Sequence, residues 1–510
     1  MPQGVLPFQY QAETKSSGRT GLSGLGLYLD LWAAMGLGET VERVVPETTQ
    51  GWPIQHVVRA FVLLNLAGGE SVSDLQRLRE DDGLCRLVRF VDRQRMNRKQ
   101  RRAFRARFRR QNQGAFPTDS SIYRFLGLNH NEPEEAKREE GKAFIPEPND
   151  ALLGLLQVNE SLVDFVQKHK PQSVATLDED ATLALTAKKE ALFSYKGFKA
   201  YQPLNVYWAE QDLVIQSQFR DGNVPAGYKK LELLKSAMAQ LPSGVEQVRY
   251  RADSAAYDVE LLRYLAEGKD PRFGRVEFAV SSDVTQAFKR AVAKVSESDW
   301  KPLNRHFEGD EQSTDQQWAE IAYVPNWAGY SKKAPLYRFI AIREPLKQLR
   351  LPKVDKQLPF PTMDFQQQTH KLFGIITNRA EQGDEIIWWH RERCGPSEHV
   401  HSEMKRGFAG GRLPSGKFGA NAAWWSIMVL ALNLNAVMRR LVIKGAWVSR
   451  RIKALRFSLI RVPGQVATHA RQLVVKITAG KIAKVLVEAR QAIARLAASA
   501  TAPPIIPAPA

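Results

Sequence analysis

The sequence predicts an α/β protein, and three observations carry that reading. Between about residues 174 and 295, strand-like runs (VATLDED, YKGFKAYQPLNVYWA, DLVIQSQFRDGN, VEQVRYRADSAAY, RVEFAVS) alternate with helical stretches (GYKKLELLKSAMAQL, VELLRYLAEG). That alternation is the pattern of a sheet covered by helices. The composition, 44% hydrophobic and 25% charged, is that of a globular chain and excludes a mostly disordered one. At 510 residues the chain exceeds one ordinary core, so two to four domains are expected.

Residues 21–82 read as helices. GLSGLGLYLDLWAAMG has helical spacing and ends in glycines; WPIQHVVRAFVLLNLAGG closes on a Gly pair; SVSDLQRLRE opens with a serine cap. Helix, glycine turn and short helix also outline a helix-turn-helix, a pattern that any helical bundle can give. Another helix, SSIYRFLGL, follows Pro117–Ser120. The polar stretch 130–150 marks a boundary. After a helix at 151–168 comes the α/β segment. From 300 to 365 helical periodicity is lost, and QQWAEIAYV and APLYRFIAIRE read as antiparallel strands. KLFGIITN then resembles a buried strand, and SEHVHSEMKRGF a helix capped by Ser397. The expected organisation is therefore a helical region at 1–150 and an α/β core at 151–440 with a β-rich stretch at about 300–365. A basic helical region follows at 441–510, ending in the disordered Pro/Ala tail TAPPIIPAPA.

The formal charge of +19 is unevenly placed. Arg93–Arg110 holds ten basic residues and no acid; Arg439–Ala500 holds fourteen against the single Glu488. The remainder is slightly acidic. Such flanks suit sequence-tolerant grip on the phosphates of double-stranded DNA, and Arg101, Arg102, Arg105 and Arg109 are the residues expected to make it. Two cysteines, Cys85 and Cys394, exclude a disulfide framework and a four-cysteine zinc site. No secretory signal is visible, and the apolar stretch Ala422–Met438, interrupted by Ser426, Asn433 and Asn435, reads as a buried helix rather than a membrane span. A cytoplasmic protein without membrane association is expected.

Three carboxylates occupy positions where α/β folds place ligands and catalysts. Asp180 follows a strand, Asp253 ends a strand at a strand-to-helix turn, and Glu398 opens a helix. Converging, they would form an oxygen-rich site for one or two Mg²⁺ ions, with Mn²⁺ as substitute, able to activate an attacking oxygen at a phosphodiester. With 54 acids in the chain, position alone is weak support.

The runs TLDEDAT, YKGFKAYQPL, FRDGNVPAG, VRYRADSAAYD and RERCGPSEHVHSEMKRGFAGGRLPSGKFGANAAWW together resemble bacterial insertion-sequence transposases, most closely the insertion-sequence-1380 family. The resemblance spans about Thr20 to Arg440. It implies a ribonuclease H-like catalytic core of the D-D-E type, with Asp180 as the aspartate of D-x-T, Asp253 as the second aspartate and Glu398 as the glutamate. It also implies that the interval of 145 positions from Asp253 to Glu398 holds the β-rich insertion. In the wider group a Tyr and an Arg precede the Glu, and a Lys follows seven residues later. Lys405 keeps that interval; the Tyr place is taken by Trp388, Trp389 or His390, and the Arg is Arg391 or Arg393. Asp178 is the alternative to Asp180, two residues earlier on the same strand face.

The activity implied is cutting the element's own ends and joining the 3′ hydroxyls to target DNA, by a protein that pairs two ends as a homodimer. The alternatives are a catalytically inactive DNA-binding relative and a nuclease that cuts without joining. His399 and His401, at i and i+2, point apart and do not suggest zinc. Cys394 lacks a specified base, and GFAGGRLPSGKFG lacks a phosphate-loop ending.

Overall fold

A computed structural model describes residues 17–47, 51–94, 96–102, 115–307, 310–325, 327, 337–346, 360–366, 368–469 and 472–501. Its centre is a ten-stranded mixed sheet: β1 (Val174–Ala181), β2 (Leu204–Trp208), β3 (Leu213–Gln218), β4 (Gln247–Ala252), β5 (Glu277–Ser282), β6 (Lys301–Pro302), β7 (Gln317–Ile321), β8 (Arg338–Pro345), β9 (Thr362–Phe365) and β10 (Gln368–Thr377). The order is β3-β2-β1-β4-β5-β10-β8-β7-β6, with β9 beside β10. β1, β4 and β5 run parallel, and their neighbours on both sides run antiparallel. The expected α/β class is observed.

The region 300–365 is β-rich, and among its described strands β6, β7 and β8 continue the central sheet through β10. Arg305–Phe307 and Asp310–Gln312 pair with each other as a separate ribbon. Trp318, Ile340 and Ile342 on these strands pack with Ile386 and Ile387 of the helix Gly383–Arg391 in a second apolar cluster. That packing sets where the following chain, which carries Arg393 and Glu398, re-enters the core.

Among the described helices are α1 (Ile54–Ala67), α2 (Asp150–His169), α3 (Lys230–Ala239), α4 (Gly383–Arg391), α5 (Cys394–Ser402), α6 (Phe418–Val437) and α7 (Lys481–Thr501). α6 is buried almost all round, 83% of its most apolar window lying inside the fold, so it serves as a core helix. Its polar residues have structural work. Asn433 both accepts from the Val214 N–H (3.0 Å) and donates to the Val214 carbonyl (2.7 Å), and Asn159 of α2 donates to the same carbonyl (3.0 Å). Val214 lies on β3, the sheet's edge, whose free backbone groups would otherwise be buried unpaired. Asn435 accepts from the Tyr28 hydroxyl at 2.8 Å.

α1 is buried on nearly every face and packs on α6, with Phe61 edge-on to Trp424 at 5.4 Å between centroids. As the first helix of the supposed helix-turn-helix, it is therefore core rather than a DNA-facing surface. It ends at Gly68, whose φ of 93° suits glycine. Arg456, 7% exposed, reaches across from the C-terminal region to donate to the Leu66 carbonyl at 2.8 Å and to the carbonyls of Asn65 and Gly407. Carbonyls of the last helical turn have no partner within the helix, and a guanidinium supplies several donors.

Two expectations for the C-terminal region need correction. It is not wholly helical: Gly464–His469 and Gln472–Ile477 form an antiparallel hairpin, and the first strand also pairs with Arg19–Thr20. The valines of VATH and LVVKI favour a strand, and a mate from the N-terminus completes the pairing. Nor is its basic charge free for DNA throughout. Arg439 and Arg440 pair with Asp212 (3.2 and 3.6 Å), Arg490 with Asp30 (3.0 Å), and Arg461 donates to the Ala67 carbonyl at 3.1 Å. Arg101 and Arg102 are helical and exposed, whereas Arg105, Arg109 and residues 502–510 of the Pro/Ala tail lie outside the described residues.

Candidate active site

β1 and β4 are parallel and register Val174 to Glu179 against Gln247 to Ala252. The next position on each is Asp180 and Asp253. The two aspartates thus stand side by side at the carboxyl ends of neighbouring strands, separated by about one strand spacing, ~4.8 Å, along the backbone. Asp253 turns the chain into the short helix Ser254–Ala256 and accepts from the Ala255 N–H at 3.1 Å. α5 faces these strand ends. Ser397 does not cap it, because the helix begins at Cys394; its hydroxyl instead donates to Asp180 Oδ2 at 2.8 Å.

Asp180, Asp253, Glu398 and Lys405 line one open cleft of about 960 Å³, together with Thr182, His401 and Arg406. Residues 193–196 form another part of its wall. Lys405 follows Glu398 by seven residues and sits within a π-helical turn at Glu403–Gly407, and both face the cleft. π-Turns often mark functional sites. Burial pushes the Lys405 ammonium below its usual range, Arg406 and Lys196 add to this, and Asp180 opposes it.

The carboxylates differ in surroundings. Arg393 Nη1 lies 4.0 Å and His401 Nδ1 3.8 Å from Asp180 Oδ2. Burial lowers the His401 pKa, and Asp180 partly offsets this. Its Nε2 lies 3.4 Å from Asn205 Nδ2, a donor, which leaves Nδ1 to carry the proton toward Asp180. Asp253 has Lys230 Nζ at 3.6 Å, from a lysine only 2% exposed at the start of α3. Glu398 is exposed and has no hydrogen-bond or ion-pair partner among the described residues. Carboxylate oxygens are the donor type a hard divalent cation takes, but Asp180, Asp253 and Glu398 line the cleft without the expected convergence on one point. As placed, no three His, Cys, Asp or Glu side chains among the described residues are close enough together to hold an ion.

Asp178 is elsewhere. It is buried and grips Arg251 through two hydrogen bonds, 2.6 and 2.9 Å, and does not line the cleft. Burial raises its pKa and Arg251 opposes the rise. Neither arginine alternative is part of the cleft lining; Arg393 comes within 4.0 Å of Asp180, whereas Arg391 stacks on Trp388 at 5.1 Å. Trp389 is also taken, with the Arg251 and Arg379 guanidinium groups 5.1 and 4.0 Å from its centroid.

His390 holds the base of the site, its Nε2 3.0 Å from the carbonyl of Ala252, immediately before Asp253. Burial pushes its pKa down to about 3, helped by Arg393, against the usual 6.5. Below pH 6.5 the unfolded chain takes up a proton that the folded chain refuses until pH falls to about 3, so stability drops on acidification across that window. This group alone should make the protein roughly 2 kcal/mol less stable at pH 5 than at pH 7. Urea unfolding at the two pH values checks this: His390→Gln should lose most of the difference, and an unchanged difference would show that His390 titrates normally.

Over residues 15–499 the sequence matches the family described as Transposase DDE domain group 1. The chain belongs to that family. No curated protein matches it. Among solved structures it is similar to the piggyBac transposase in a synaptic complex with hairpin DNA, determined by cryo-electron microscopy, at 9% identity and a TM-score of 0.39. That match covers 94% of this chain and 83% of the other. For a DDE transposase chain, Ser397, His401 and Lys230 are the site residues that sequence reasoning missed. His401 was visible only as one of two histidines pointing apart on a helix, and Lys230 as one lysine of a helical run.

Proposed function

We propose that this DDE transposase-family chain is an insertion-sequence transposase of the kind its motifs resemble. It would cut the ends of its own element and join the 3′ hydroxyls to target DNA. The observation that carries the reading is the meeting of Asp180, Asp253, Glu398 and Lys405, from positions 225 residues apart at the extremes, in one cleft. The strand order β3-β2-β1-β4-β5, with both aspartates at strand ends, supports a ribonuclease H-like core.

Asp180, Asp253 and Glu398 would hold Mg²⁺, or Mn²⁺ in its place. The ion, when bound, would acidify an attacking water or hydroxyl and neutralise charge on the phosphate. The chain's own residues supply the rest. Ser397 orients Asp180, and Lys230 and the Ala255 N–H orient Asp253. Lys405 and Arg393 would bind phosphate oxygens beside the scissile bond, as a point charge and a planar fork respectively. Residues 1–150 would recognise the element ends, 151–440 would carry the chemistry, and Arg101, Arg102, Arg105 and Arg109 would grip phosphates. Two copies would pair the two ends on DNA in the bacterial cytoplasm.

The test is incubation of the full chain with Mg²⁺ and labelled duplexes bearing the element's ends. Nicked and then joined products are expected, and none with EDTA. Binding without cleavage in either Mg²⁺ or Mn²⁺ would instead identify an inactive DNA-binding relative, and nicking without joining would identify a nuclease.

A further inference from the structure

The arm at 184–201, whose residues 193–196 wall the cleft, leaves the sheet beside it. Its base is closed by pairing of Ala184–Leu185 with Ala200–Tyr201. Its tip is a tight turn in which the Gly197 N–H donates to the Ser194 carbonyl (2.9 Å) and the Ser194 N–H to the Phe198 carbonyl (2.8 Å), with Gly197 at φ 79°. The arm is therefore built, with Ala184, Ala191, Ala200 and Tyr201 buried, yet several of its large apolar side chains stay in solvent. Leu185, Leu192, Phe193 and Tyr195 are four of the eleven large apolar side chains exposed among the described residues, and Phe193 and Tyr195 are 62% and 75% exposed. Both aromatics line the cleft that holds the carboxylates.

The charge around them indicates the occupant. Lys196 and Lys199 lie 5.7 and 5.8 Å from the Tyr195 and Phe193 ring centroids, Lys188 and Lys189 are on the same arm, and Lys405 is across the cleft. Glu190 is the arm's one acid. Flat apolar rings between cations form the combination that stacks bases while tracking a phosphate chain. Bases within a duplex are already stacked on their neighbours and present only edges and backbone, so the complement of such rings is an unpaired nucleotide.

We propose that Phe193 and Tyr195 form a stacking platform for single-stranded DNA at the strand end entering the catalytic cleft. The inference rests on the transposase reading for its biological setting. Its test is independent, since it contains no metal and reads no cleavage.

The test is fluorescence anisotropy with the full chain, using a labelled twelve-nucleotide oligothymidylate and, separately, a blunt duplex of unrelated sequence. Tyr195→Ala and Phe193→Ala should each weaken oligothymidylate binding about tenfold, with duplex affinity changed less than twofold. Tyr195→Trp should bind the single strand as wild type does, because any aromatic ring can stack. Both rings are solvent-exposed, so the alanine variants should keep the wild-type unfolding temperature. Equal loss on both probes, no loss on either, or no measurable wild-type binding to the oligonucleotide would each overturn the proposal. Failure of cleavage in Mg²⁺ alongside the expected stacking losses would instead count against the transposase reading alone.

Discussion

Glu398→Gln is expected to reduce strand cleavage by on the order of a thousandfold or more, while binding to duplex DNA changes little. The substitution keeps size and shape and removes one negative charge from the acidic donor set. Glu398 is exposed and has no protein partner among the described residues, so its loss breaks nothing structural. A fall in rate would therefore report on chemistry and not on folding. DNA affinity depends mainly on cations spread over the surface, which the change leaves alone. Single-turnover cleavage of labelled ends, with anisotropy on the same duplex, measures both quantities. Cleavage within tenfold of wild type would remove Glu398 from the catalytic set.

The second large effect concerns Asp178, the rival of Asp180 in the sequence. Asp178→Ala should destabilise the fold by about 3–5 kcal/mol, because it leaves the Arg251 guanidinium without its buried counter-ion. Arg251 is only 3% exposed and is held by both Asp178 oxygens; its remaining bonds, to the Trp389 carbonyl (2.6 Å) and Glu392 (3.1 Å), do not replace that pair. Asp180→Asn should behave oppositely, with near-normal stability and cleavage lost. Its carboxylate is 26% exposed, and the Ser397 hydroxyl can donate to an amide oxygen as well. Urea denaturation and cleavage on the two variants separate the roles. A stable Asp178→Ala that cannot cleave, beside an active Asp180→Asn, would reverse the assignment.

The contrast between these two aspartates shows where sequence reasoning ends. Alternation along a strand places Asp178 and Asp180 on one face, and within TLDEDAT only the resemblance to D-x-T favours Asp180. The difference comes from β4: its register ends at Ala252, so Asp178 lies opposite Arg251 within the sheet, while Asp180 extends past it into the cleft. Register between strands more than seventy residues apart is a tertiary fact.

The sequence by itself determined the α/β class, the strand-end positions of Asp180 and Asp253, the β-rich texture of 300–365 and the burial of the apolar helix at 418–437. Those are local properties, written in periodicity, turn residues and apolar content. What only the tertiary structure decided is how the polar exceptions are used. Asn433 closes a sheet edge, Arg456 caps a distant helix, Ser397 leaves its supposed cap for Asp180, and several C-terminal arginines are consumed by internal pairs. The reason is physical. A polar side chain's role is set by which unsatisfied group folding brings within about 3 Å of it, and that neighbour is usually hundreds of residues away along the chain.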